Sequence, residues 1–125
     1  MSNILVIEDD EQVRSMLRVT LELVGYEVED APDGKEGLRI FHQKPFDLII
    51  TDIVMPEKDG METIIEMRRK LPDVKIIAIS GGGYIIPDYY LDSAKFFGAM
   101  RTFTKPFEQK ELLETVRELL QESEV

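Results

Sequence analysis

Cysteine is absent from the chain, so disulfides, thiolate metal sites and thiol nucleophiles are excluded together. Histidine occurs once, at His42, which rules out a multi-histidine metal centre within one chain. His42 itself reads as a surface or helix-end residue. No apolar run approaches the roughly 18 to 20 residues that span a bilayer, and no basic region precedes the first apolar stretch. A soluble cytoplasmic protein that does not engage membranes is expected. Cations are outnumbered: 15 Lys and Arg stand against 25 Asp and Glu, a net charge of −10. Direct nucleic-acid binding needs a basic face to displace counterions from phosphate and is disfavoured, so partners should be proteins. Internal repeats, linkers and low-complexity tracts are also missing. What remains, 125 residues with 43% hydrophobic content, suits one domain over residues 1–125 with one ordinary core.

Within that domain, short apolar runs alternate with amphipathic stretches. Ile4 to Ile7 is the first run, and Val13, Leu17, Thr20, Leu21 and Val24 follow at helical spacing until Gly25, a C-terminal cap. Tyr26 to Ala31 alternates as a strand, Pro32-Asp33-Gly34 turns the chain, and Leu38 with Phe41 marks a short helix closed by Pro45. Asp47 to Asp52 is the third run. A loop from Ile53 to Lys58 leads to a helix capped by Asp59 that carries Met61, Ile64, Ile65 and Leu71, broken by Pro72-Asp73. Val74 to Ile79 and Met100 to Thr104 are the fourth and fifth runs, separated by a glycine-rich loop and a helix near Asp88 to Phe97. The last helix starts at about Phe107 and carries Leu112, Val116, Leu119 and Leu120. Five runs each followed by a helix imply parallel strands and a three-layer, doubly wound α/β sandwich whose central strands are apolar throughout. Periodicity leaves the strand order open; the order 2-1-3-4-5 would put the first and third strands at the switch point, where such folds place ligands.

Under that order Asp52 meets the cluster Glu8-Asp9-Asp10-Glu11 at the C-terminal edge of the sheet, and Lys105 completes a charged pocket. Such a pocket can hold a divalent cation and receive a phosphoryl group. Each piece has a plainer reading. Glu8 to Glu11 alone would be a solvated helix-capping cluster, and Asp10 and Glu11 keep that role here. Lys105-Pro106-Phe107 alone would be a loop. Met55, Met61 and Met67 read as packing residues. Gly81-Gly82-Gly83 is a flexible loop, because no Gly-x-x-x-x-Gly-Lys-Ser/Thr accompanies it.

The ordered set is more specific than its parts. Ile4 to Asp10, Asp47 to Pro56, Asp59-Gly60, Ser80-Gly81, Gly98-Ala99 and Lys105-Pro106-Phe107 together resemble the response-regulator receiver domains of two-component signalling over essentially the whole chain. The resemblance implies a flavodoxin-like, CheY-like fold and a phosphorylation-dependent switch. Only Gln121 to Val125 follow the last helix, so the stand-alone type with no output domain is expected, unless the chain is an excised fragment. It implies that Asp52 accepts a phosphoryl group from a sensor histidine kinase or phosphotransfer protein, catalysing only its own phosphorylation and dephosphorylation. Asp9, Asp52 and the backbone carbonyl of Val54 would hold Mg²⁺ or Mn²⁺, with Glu8 acting through a metal-bound water. Lys105 and Ser80 would contact the phosphoryl oxygens, Gly81 would let its amide approach, and Lys105–Pro106 would be cis. Output would come through the surface of the fourth helix, fifth strand and last helix, onto an unnamed protein target or a phosphorylation-linked homodimer.

Some positions depart from the family's pattern. Thr102 stands where many receivers carry the aromatic ring that moves on activation, and strand alternation sends Phe103 to the opposite face. Tyr84 is a candidate replacement. Val54 and Gly82 offer no side-chain hydrogen bond to an attacking water, so a long-lived phosphorylated state is expected. Two other readings compete. A pseudo-receiver that only binds partners would not need the full Asp9, Asp52, Ser80 and Lys105 set. A phosphatase of the haloacid-dehalogenase type needs an acid two positions after its nucleophile, where this chain has Val54.

Overall fold

Successive strand residues point to opposite sheet faces, so a run such as Ile4-Leu5-Val6-Ile7 can be apolar throughout only where both faces are covered. The computed structural model, which describes residues 2–53, 60–81, 94–95 and 98–121, shows that arrangement. Its strands are β1 (Asn3–Ile7), β2 (Glu27–Ala31), β3 (Leu48–Asp52), β4 (Ile76–Ser80) and β5 (Arg101–Thr104). All neighbours are parallel, in the order β2-β1-β3-β4-β5. The described helices are α1 (Glu11–Leu23), α2 (Gly34–Phe41), α3 (Gly60–Lys70) and α4 (Gln109–Gln121).

The two faces build two cores. Leu5, Ile7, Ile49, Ile76 and Ala78 pack with Leu38 and Phe41 of α2 and Ile64 and Met67 of α3. Ile4, Val6, Leu48, Ile50, Ile77 and Ile79 pack with Leu17 and Leu21 of α1 and Leu112, Val116 and Leu119 of α4. Each fully buried Leu or Ile stabilises the fold by roughly 1.5–3 kcal/mol, and the central strands β1, β3 and β4 carry most of the strand residues so buried. No helix among the described residues is long and apolar enough to cross a membrane.

Local signals set the helix ends. Asp10 caps α1 by accepting from the Gln12 and Val13 amides at 2.9 and 3.1 Å, and Asp33 caps α2 by accepting from Glu36 N at 2.8 Å. After α1, Gly25 N donates to Glu22 O and Tyr26 N to Leu21 O, a Schellman closure at the expected glycine. His42 caps the end of α2 and is exposed, as expected.

Several expected boundaries shift. Helix α3 ends at Lys70, so Leu71 leaves the core face and is 44% exposed. Val24, placed on the inner face of the first helix, is its C-cap and is 49% exposed. Strand β4 starts at Ile76 because Val74 N closes a turn onto Leu71 O, although Val74 is buried. Helix α4 starts at Gln109 rather than near Phe107. The central strands are not apolar throughout: Thr51, Asp52 and Ser80 are buried at their C-terminal ends, and this polar edge forms the site. The cap at Asp59, Met55 and most of the helix expected near Asp88 to Phe97 lie outside the described residues.

Candidate functional site

Strands β1 and β3 are direct neighbours, with Ile7 opposite Thr51, so the residues that follow them emerge side by side. Asp52 ends β3 and is 3% exposed; Glu8 follows β1 and is 1% exposed. One carboxylate oxygen each from Glu8, Asp9 and Asp52 lie within 4.8 Å of one another. Like charges at that distance repel by on the order of 3 kcal/mol per pair at an effective dielectric of 20, so the trio needs a cation or a proton. Lys105, one residue past β5, supplies part of it. Its Nζ donates to Asp52 Oδ2 at 2.8 Å and lies 2.7 Å from Glu8 Oε1.

The two partners answer this crowding differently. Burial drives the Glu8 carboxyl up from 4.5 to about 7 and the Asp52 charge adds to it, while Lys105 and the Asp10 amide pull the other way. For Lys105, burial favours the neutral amine, but hydrogen bonds and charge from Asp52 and Glu8 outweigh it and raise the pKa above its ordinary 10.5. The ammonium is therefore charged at neutral pH, and Glu8 is the group that takes up a proton.

The backbone around the pocket is tightly packed. A Cβ on Gly60, the first residue of α3, would lie 2.0 Å from Asp52 O and 2.6 Å from Ile53 Cα, so only glycine lets α3 start against the end of β3. Gly81 has φ +108°, and its own Cβ would meet the backbone of Lys105 at 3.1 Å. Lys105 N donates to Ser80 O at 2.7 Å, tying the ends of β4 and β5 together. The Lys105–Pro106 peptide is cis.

The structure thus brings Glu8, Asp9, Asp52 and Lys105 into one pocket and places buried Ser80 on the adjoining strand end, one residue past Ile79, the partner of Asp52 in the sheet. Val54, Gly82 and Tyr84 lie outside the described residues. Thr102 pairs with Ala78, and Phe103 faces the α4 side, 5.9 Å from the Phe107 ring. Glu8 is bonded on both oxygens: Lys105 Nζ lies 2.7 Å from its Oε1, and its Oε2 accepts from the Asp10 amide at 3.0 Å. Periodicity gives no reason to single out Arg14, whose Nη1 donates to Glu8 O at 2.9 Å. The available signal is electrostatic, since a cation in the first turn of a helix opposes the macrodipole and needs a local partner.

Among the described residues the grouped donors are three carboxylates, a hard-oxygen set that fits Mg²⁺, or Mn²⁺, rather than a soft metal. An acid trio, an ammonium and a hydroxyl-bearing residue at the C-terminal edge of the sheet match where open α/β sheets bind ligands.

Known proteins carry the same plan. Residues 4–117 match the response regulator receiver domain family. The probable transcriptional regulator ycf27 of Guillardia theta is 35% identical over 94% of this chain, which covers 44% of that protein. The response regulator receiver protein CpdR of Brucella abortus is 32% identical, with 96% of this chain and 98% of CpdR covered. The structure of TrrA from Thermotoga maritima, solved in complex with Mg(2+)-BeF, is 36% identical with a TM-score of 0.84, covering 96% of this chain and 100% of that one. The chain spans about half the length of the first curated relatives it matches. Sequence match, strand order and site geometry agree, and the chain belongs to the response regulator receiver domain family.

Proposed function

We propose that Asp52 accepts a phosphoryl group from the phosphohistidine of a sensor histidine kinase or phosphotransfer protein and thereby switches a protein-docking surface. The single observation that carries this is the Asp52 carboxylate: buried at the end of β3, held at 2.8 Å by Lys105, and grouped with Glu8 and Asp9. An Asp52 oxygen forms the new O–P bond as the donor's N–P bond breaks, and the donor nitrogen leaves with the electron pair. Asp9 and Asp52 would hold the cation directly, with Glu8 behind a water and the Val54 carbonyl as a further ligand. When bound, Mg²⁺ supplies the charge neutralisation that lets a carboxylate approach an anionic phosphoryl group. Support for it comes from the oxygen donor set and from TrrA, solved with Mg(2+)-BeF at 36% identity.

Lys105 leaves the Glu8–Asp52 pair to meet the transferred oxygens as a compact charge. Ser80, buried at the end of β4, donates its hydroxyl to the same oxygens. Because Lys105 N is bonded to Ser80 O, movement at either end passes into β5, which with the helix expected near Asp88 to Phe97 and the last helix, α4, makes the surface expected to meet a downstream protein or a second copy. The chain turns over nothing but its own acyl phosphate. Intact-mass measurement after incubation with acetyl phosphate tests the reading. A phosphoryl adduct that needs Mg²⁺ and disappears in Asp52→Asn supports it. No adduct from acetyl phosphate or a cognate donor would leave only a partner-binding role.

A further inference from the structure

We infer that Arg14 is a positioning residue for Asp9, presetting the direction of that carboxylate toward a divalent cation; this rests on the metal reading above. Asp9 is the one member of the acid trio that is not fully buried, and among the described residues no hydrogen bond or ion pair orients its side chain. Its orientation must come from the backbone, and both peptide groups that flank it are pinned. The peptide before Asp9 is fixed through its carbonyl, Glu8 O, which accepts from Arg14 Nη1 at 2.9 Å. The peptide after Asp9 is fixed through its amide, Asp10 N, which donates to Glu8 Oε2 at 3.0 Å.

The frame behind these bonds is rigid. Glu8 N donates to Ala31 O at 3.0 Å, extending the β1–β2 pairing. Arg14 N donates to Asp10 O at 2.9 Å, and Asp10 caps α1 through Gln12 and Val13. Arg14 thus closes a loop from the helix's first turn back to the strand end, with Asp9 at its apex. Its planar guanidinium reaches the carbonyl without leaving the helix, and its position in the first turn gives α1 no benefit from the charge. Charge alone would argue against a cation there if Mg²⁺ binds nearby, since two cations repel; the gain has to lie in geometry.

That opposition makes the inference testable by sign. Mg²⁺ affinity is measured by isothermal titration calorimetry at fixed pH and ionic strength for the wild type, Arg14→Ala, Arg14→Lys and Asp9→Asn. Positioning predicts that Arg14→Ala weakens Mg²⁺ about tenfold, the low end of the loss when an outer-shell partner of a metal ligand is removed. Arg14→Lys, which keeps a donor on a looser stem, recovers part of that affinity. Without Mg²⁺, amide exchange in Arg14→Ala should quicken at Asp9 and Asp10 while the rest of α1 stays protected. Unchanged or tighter Mg²⁺ binding in Arg14→Ala would overturn the inference, and so would exchange that quickens evenly along α1, the sign of general helix loosening. Absence of saturable Mg²⁺ binding by the wild type would sink the metal reading itself, and is thereby told apart from failure at Arg14.

Discussion

Burial lifts the Glu8 carboxyl from 4.5 to about 7, so the native chain holds this proton more tightly than the unfolded chain does. The stabilisation that follows is complete below about 4.5 and is lost as pH rises through about 7. With divalent cations chelated, the melting temperature of the wild type should therefore fall relative to Glu8→Gln across that window. Glu8→Gln keeps the shape and removes the titration, so the difference between the two curves isolates this one group from the many surface carboxylates. Saturating Mg²⁺ should close the gap, because a cation in the trio releases the proton it replaces. Parallel curves from pH 4.5 to 7 in chelator would contradict the assignment. Lys105 titrates far above this range and leaves the window clean.

Elements α3 and β3 meet at Gly60, where the predicted cost is steric. Gly60→Ala places a methyl group 2.0 Å from Asp52 O, a backbone atom that cannot swing away as a side chain would. Overpacking of this kind costs roughly 1–3 kcal/mol, to be read from urea unfolding, and the shift of β3 should also slow phosphorylation of Asp52. By contrast, Asp10→Ala should cost only about 1 kcal/mol, the usual loss of an N-cap. What the sequence made legible follows the same division. The runs in β1, β3 and β4 were readable because both faces of these strands are buried, and the acid trio because strand-end positions are fixed by those runs. Helix ends were less readable: Leu71 continues the periodicity of α3, but Pro72 and the turn at Val74 take it out of the helix. Arg14 left no periodic pattern, since its partner is a carbonyl oxygen, and only its unfavourable charge in the first turn of α1 marked it.

Across the whole molecule, a net charge of −10 adds a diffuse repulsion to the local crowding at the trio, and the two respond differently to salt. Added NaCl screens the diffuse part and should raise the melting temperature gradually, since repulsion between exposed charges farther apart than the Debye length, about 8 Å at 0.15 M, is largely screened. The trio, with Glu8 and Asp52 buried, is screened far less and answers to a cation that fits it. At matched ionic strength MgCl₂ should therefore stabilise the chain beyond NaCl, by about 2.7 kcal/mol once Mg²⁺ reaches a hundredfold excess over its dissociation constant. Asp9→Asn removes one of three mutually repelling carboxylates, so in chelator it should be more stable than the wild type by about 1 kcal/mol, a gain of the kind seen when a functional site gives up its strain. The same variant should lose the excess of MgCl₂ over NaCl while keeping the NaCl response. Differential scanning calorimetry of both chains in both salts separates the terms. Equal effects of the two salts on the wild type would reduce the trio to part of a generally acidic surface.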